Sequence, residues 1–294
     1  MTAAKLGQPD PVAQGLLLSA AKRLARDKLA LLGMGIILTV AALAFLAPYI
    51  APNDPLKVDL ARRLAPADAS FPLGTDHLGR CIFSRLVYGA RVSLPVAGLT
   101  LAVIMLIGIP IGVISGYCGG KADAIIMRVV DILLAFPGLV LALVIAGMLG
   151  PGLINVLIAL AAVWWVEYAR FVRGIVLAVK EKEFVLAARA SGTSDLGIVT
   201  RHILPDVLSP VTVLATLDMG KMILAISGLS FLGLGAQPPT PEWGTMLNDG
   251  RPYMQVAPHL MLYPGLAIMG IALAFNLLGD GLRDALDPRC TARV

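Results

Sequence analysis

Charge is scarce in this sequence, and so are cysteine and histidine. Asp, Glu, Lys and Arg together make up 15% of the 294 residues, against 57% apolar residues, and the mean hydropathy is +0.82. A soluble domain of this size cannot hide that much apolar surface in one core; lipid is the solvent that fits it. The three cysteines (Cys81, Cys118 and Cys290) are odd in number, widely spaced and free of any CxxC pair, which argues against a disulfide framework or a zinc site. His77, His202 and His259 show no ligand spacing and read as structural residues, so neither a metal nor a cofactor is expected. A phosphate-binding loop is missing too. Gly120-Lys121 is followed by Ala122 and Gly220-Lys221 by Met222, where that loop needs Ser or Thr. Protease signatures fail in the same way: Val113-Ile114 precedes Ser115-Gly116, and Leu277-Leu278 precedes Gly279-Asp280. The chain is not expected to be an enzyme.

What is there is a series of long apolar runs. A hydrocarbon core of about 30 Å takes roughly 20 helical residues to cross. Spans are predicted at 29–50, 92–116, about 207–234 and about 260–279. The uncharged run 132–166 is too long for one helix and reads as two spans joined by a tight turn at Gly150-Pro151-Gly152. No run alternates polar and apolar residues, so the expected class is all-α, a polytopic membrane protein with about six transmembrane helices. The first span is longer than a signal peptide's apolar region and follows a 28-residue polar segment, which fits an uncleaved anchor.

The net charge of +5 and pI near 9.2 could suggest nucleic acid. The basic residues instead gather at the ends of apolar runs, the pattern of basic cytoplasmic loops, and nucleic acid is not an expected partner. With the N-terminus in the cytoplasm, sixteen Lys and Arg fall inside, from Lys5 to Arg293. Seven fall outside: Lys57, Arg62, Arg63, Arg80, Arg85, Arg91 and Arg251. Both termini are therefore expected in the cytoplasm, with the Lys57–Arg91 stretch as an exception. The organisation expected is a cytoplasmic segment 1–28, a first helix 29–50, an outer loop 51–91, a five-helix core 92–282 holding a cytoplasmic loop 181–205, and a tail 283–294.

That loop is too long for a simple turn and carries its own helix punctuation. A helix over 181–191 would end at Gly192, a favoured residue after a helix C-terminus. Ser194 or Asp195 can cap a second short helix, on which Leu196, Val199 and Ile203 would share one apolar face open to a partner. Pro205 would then begin the next span, where its missing N–H costs nothing.

Ala187-Ala188, Gly192 and Leu204-Pro205 have the spacing of the coupling loop of permease subunits in bacterial ATP-binding-cassette importers, the "EAA" motif, which the chain resembles. Leu186 stands where that motif has Glu, and His202 where Ile is common. Further segments resemble the dipeptide and oligopeptide subfamily: Leu73–Arg91, Arg128–Pro137, Phe231–Gly244, and an ending over 274–289 like its "C"-type subunit. Cys81 replaces an Asp usual in that family. The resemblance implies a type I ABC importer permease fold in the bacterial inner membrane, and import of small peptides, including relatives of glutathione, or of nickel chelates. It also implies four kinds of contact: a homologous second permease in a heterodimer, two ATP-binding subunits, an extracytoplasmic substrate-binding protein and membrane lipid. The coupling-loop residues it implies are Glu183, Ala187, Ala188, Gly192, Asp195, Leu196, Val199, His202, Ile203 and Pro205.

Charges inside spans need a reason. Arg128/Asp131, Glu167/Arg170, Asp218/Lys221 and Asp280/Arg283 are spaced i,i+3 and are expected to pair on one helix face. Three of these pairs lie near predicted span ends. Asp218/Lys221 lies deeper and, with Asp131, is a candidate for the translocation pathway or a subunit contact. The outer loop 237–254 is stiffened by Pro238, Pro239 and Pro241, with Trp243 as an interfacial anchor; Pro239, Glu242 and Trp243 are candidates for an outer gate or a binding-protein dock. The competing classes are a stand-alone secondary transporter, which would show two related halves, and, more remotely, an intramembrane protease.

Overall fold

The structure, a computed structural model, describes residues 21–286. The expectations for 1–20 and 287–294, including Lys5, Cys290, Arg289 and Arg293, fall outside the described residues. Among the described residues the fold is helical without strands; the nearest thing to sheet is one isolated bridge between Thr75 and Cys81.

The helices are α1 (Lys28–Phe45), α2 (Ala47–Ile50), α3 (Ile82–Cys118), α4 (Gly120–Leu134), α5 (Gly138–Leu149), α6 (Leu153–Val179), α7 (Glu183–Ala190), α8 (Asp195–Ile198), α9 (Leu204–Phe231), α10 (Trp243–Gly250) and α11 (His259–Leu286). Five helices are long and apolar enough to cross a membrane: α1, α3, α6, α11, and α9 continued back to Asp195. The bent pair α4–α5 makes a sixth if counted as one span. Asp27 starts α1 by accepting from the Leu29 and Ala30 amides at 2.9 and 3.2 Å.

Three span expectations need correction. The second span's helix begins at Ile82 rather than near Val92, so the last part of the segment taken as outer loop, from Ile82 to Arg91, is helical. The third is not one helix from residue 132: α4 and α5 meet at an 85° bend. The cause is Pro137, which lacks an N–H and disfavours helical geometry in the residue before it. The 12 residues of α5 reach only about 18 Å. The fourth span does not stop near residue 166 but continues to Val179. The turn at 150–152 is present, with positive φ at Gly150 and Gly152.

The centre of the bundle is the α3–α6 seam. Gly108, Gly112 and Gly116 recur every four residues on α3 and face α6. A Cβ there would lie 2.6 Å from Tyr168 Cβ, 2.6 Å from the Ala169 carbonyl and 2.8 Å from Val176 Cβ respectively. The small residues let two backbones touch where hydrophobic burial alone offers little drive, as lipid is as apolar as leucine. α9 and α11 pack beside this seam, and α1 lies against α11, where Gly33 meets the Ala274 carbonyl.

Candidate functional site

Three clusters of polar side chains interrupt the apolar bundle, one at each end and one midway. At one end lies the 181–205 segment. α7 is two residues shorter at its start than expected, and Gly192 follows it at φ +78°. No atom lies within 4 Å of where its Cβ would be, so backbone conformation rather than space requires glycine there. Ser194 caps α8, its Oγ accepting from the Gly197 amide at 3.3 Å. Asp195 Oδ1 accepts from the Tyr117 hydroxyl at 2.6 Å, fastening α8 to the end of α3. Glu183 and Ala187 are exposed, Ala188 is half-buried, and His202 lies 6.2 Å from the Phe184 ring. Pro205 sits in the first turn of α9.

The shared apolar face does not form as expected. Leu196 is 74% exposed, Val199 is half-buried and Ile203 is fully buried. Residues 199–203 form a π-helical turn that runs straight into α9. This wider turn advances the buried face by five residues, from Ile198 to Ile203, before the ordinary spacing resumes at Val207 and Val211, all fully buried. The second short helix is thus the first turn of a 37-residue helix, Asp195–Phe231, with Leu196 alone at its tip.

The same end holds a clamp the sequence did not reveal. Arg173 of α6 grips Asp123 of α4 with Nε at 2.5 Å and Nη2 at 2.6 Å, and Ser115 of α3 donates to the same carboxylate. Lys180 donates to the Gly116 carbonyl at 3.1 Å, and Lys182 pairs with Asp206 at 2.8 Å. Helices α3, α4, α6 and α9 are tied here.

Midway along the bundle, Asp218 is buried at 3% exposure; its Oδ2 accepts from the Tyr168 hydroxyl at 2.9 Å, and Lys221 Nζ lies 2.8 Å from its Oδ1. This pair forms as its spacing predicts. The others differ: Asp131 of α4 pairs with Arg170 of α6 instead of Arg128, so Arg170 is drawn away from Glu167. Asp280 and Arg283 make no ion pair with each other.

At the opposite end, the outer-loop residues do not behave as an interfacial anchor. Trp243 is 2% exposed, keyed against Gly89 of α3, and its Nε1 donates to the Leu86 carbonyl at 2.9 Å. Glu242 is fully buried and caps α10. It accepts from the Gly244 and Thr245 amides at 3.0 and 2.9 Å, from the Thr245 hydroxyl at 3.2 Å, and from Ser93 Oγ of α3 at 3.1 Å. The Pro239 carbonyl lies 3.5 Å from Arg85 Nη1.

Beside this cap is a buried lattice of charges. Arg80 pairs with Asp76 at 2.6 Å and with Asp249 of α10 at 3.2 Å; Arg85 of α3 faces the same two carboxylates at 3.6 and 3.7 Å. His77 stacks on Tyr253 with ring centroids 5.4 Å apart. Burial lowers the His77 imidazole pKa from its ordinary value; Asp76 and Asp249 oppose this, while Arg80 and Arg85 add to it. The lattice joins the 51–81 loop, α3 and α10. The sequence signal for it was the run of bases from Lys57 to Arg91, an exception to the expected placement of basic residues.

A bundle with five helices long and apolar enough to cross a membrane, or six with the bent pair, defines a polytopic membrane protein. Residues 108–292 match the family described as binding-protein-dependent transport system inner membrane component, and residues 15–67 match the N-terminal transmembrane domain of oligopeptide transport permease C. The chain belongs to this family: it is a permease subunit of an ATP-binding-cassette importer. It is 45% identical over 270 residues to the dipeptide transport system permease protein of Alkalihalophilus pseudofirmus, covering 92% of this chain and 89% of that protein. It is 46% identical over 257 residues to the nickel transport system permease protein of Escherichia coli K12 (87% and 93%). It is 45% identical over 270 residues to the glutathione transport system permease protein of Pectobacterium atrosepticum (91% and 89%). These likenesses support neither a secondary transporter nor a protease.

Proposed function

We propose that the chain forms half of a translocation pathway for small peptides, in a heterodimer with a homologous second permease, above two ATP-binding subunits that hydrolyse ATP and beneath a binding protein that delivers cargo. Two of the three relatives described above carry peptides by name, glutathione being a tripeptide, and the N-terminal match is to an oligopeptide permease domain; both support the peptide reading over nickel. Both termini and the 181–205 loop face the cytoplasm in this reading, as the placement of Lys and Arg favours.

The coupling role rests on one observation: Leu196, 74% exposed at the tip of a helix that continues unbroken through the bundle. An isolated leucine in water forgoes burial worth about 1.5–3 kcal/mol, and a cleft in an ATP-binding subunit would supply it. The test is Leu196→Asp, with Gly192→Val as a second probe of the turn. Both variants are expected to insert normally yet either lose the ATP-binding subunits on purification or hydrolyse ATP without uptake. Normal assembly, stimulated hydrolysis and transport in either variant would remove this loop from the coupling path.

A further inference from the structure

The packing does not hide the charges midway along the bundle. Glu167 lies 14 residues into the 27-residue α6, about 21 Å from its start and 18 Å from its end. Lys221 lies 10 residues from the end of α9, about 15 Å along its axis. With about 40 Å of α6 crossing a hydrocarbon core of about 30 Å, Glu167 falls inside the core, and Lys221, which lines the same recess, lies at that depth with it. Yet Glu167 is exposed, and the Lys221 side chain is 61% exposed. Exposed charge at this depth is not tolerated against lipid; it faces protein or a water-filled path.

The charges do not cancel. Asp218 is occupied by Tyr168 and Lys221, while no described cation lies within ion-pair distance of Glu167, because Arg170 is held by Asp131. One unpaired carboxylate, and one ammonium that holds Asp218 through a single contact while its side chain stays largely exposed, therefore edge the same recess, whose walls are Trp164, Glu167, Tyr168, Asp218, Lys221 and Met222. Close helix contacts in membranes favour small residues, as the Gly108–Gly116 seam does; this face carries long ionic side chains and an indole, and an ionic subunit contact is an outcome the test below distinguishes. Exposed charges of both signs beside an aromatic wall are what a zwitterion's two ends require.

We propose that Glu167 and Lys221 form a mid-membrane way-station for small peptides, Glu167 receiving the cargo's ammonium group and Lys221 its carboxylate. The inference rests on the peptide reading above. The test uses the full complex in proteoliposomes with its binding protein, measuring peptide uptake and ATP hydrolysis together. Glu167→Gln is expected to leave binding-protein-stimulated hydrolysis within twofold of wild type and to lower uptake per ATP at least tenfold, with Glu167→Asp recovering part of the loss. Unchanged uptake in Glu167→Gln overturns the inference and leaves the peptide reading intact. Loss of the second permease from purified Glu167→Gln complex also overturns it, making the residue a subunit contact. A wild-type complex that imports no peptide defeats the peptide reading, and this inference with it.

Discussion

Glu242→Ala should destabilise the packing of α10 against α3. The carboxylate is fully buried and accepts four hydrogen bonds: two from the first amides of α10, one from Thr245 Oγ1 and one from Ser93 of α3. Alanine leaves those two amides and the Ser93 hydroxyl without an acceptor in a site closed to water. A lost helix cap costs about 0.5–2 kcal/mol, and a stranded buried donor about 1–3 kcal/mol. The contributions are not independent, so the expected total is about 3–4 kcal/mol. At roughly 2–4 °C per kcal/mol for a chain of this size, the purified complex should melt about 6–16 °C lower. Glu242→Gln keeps one accepting oxygen and should fall between. Thermal unfolding followed by tryptophan fluorescence suits the assay, because Trp243 is the next residue and reports the cap directly. A melting point for the Ala variant within 1–2 °C of wild type would refute the claim that this cap holds α10 against α3.

Two smaller tests probe the same end. Cys81 occupies the N-cap position of α3 but makes no capping bond through its side chain, so Cys81→Ser should add one and raise stability by about 1 kcal/mol; a lower melting point would show that the buried thiol matters more for packing. His77 has a lowered pKa, so the unfolded chain binds its proton more readily than the folded one: its contribution is fully present above the unfolded value of about 6.5 and is lost as pH falls through the folded value. His77→Phe, which keeps the stack on Tyr253, should therefore show a shallower fall in melting temperature between pH 7.5 and pH 5 than wild type; equal slopes would sink this.

The presence of apolar helices and the turn at Gly150–Gly152 were legible because each depends on local composition, while the bounds of the second, third and fourth spans were not. What sequence hid were choices made between distant elements. Arg170 has Glu167 three residues before it, and spacing alone makes them partners; only the approach of α4 reveals that Asp131 takes the arginine. Trp243 in a proline-rich loop looks like a headgroup anchor, and it is the missing side chain of Gly89, on another helix, that opens a slot for it. The face of Leu196, Val199 and Ile203 failed for a subtler reason: a helical wheel assumes 3.6 residues per turn, and the π turn at 199–203 resets the count. The buried lattice of Arg80, Arg85, Asp76 and Asp249 left only an indirect trace, as bases that did not fit the expected placement of Lys and Arg.

The long helix that carries Leu196 also carries Asp218 and Lys221, which bears on how a stroke at one end could be felt at the other. From Asp195 to Phe231 it spans 37 residues, about 55 Å. Its departures from regular α geometry cluster near the start: the π turn at 199–203, then Pro205, then Pro210, which cannot donate to the carbonyl four residues back. Compliance is therefore concentrated in the first four turns, next to the proposed docking point. Beyond Val211 one face of the helix is buried along its length, through Asp218, Met222, Ile226 and Ser230. Its end is fixed through the turn at Gly233 and the Glu242 cap. In the proposed reading a push on the tip is either absorbed before Val211 or moves everything after it. Lys221 lies on that stiff stretch and the α10 cap packs against its end, Gly244 meeting Ser227 and Ser230, so in the proposed reading turning the charges beside Asp218 and loosening the α10 end are one motion rather than two.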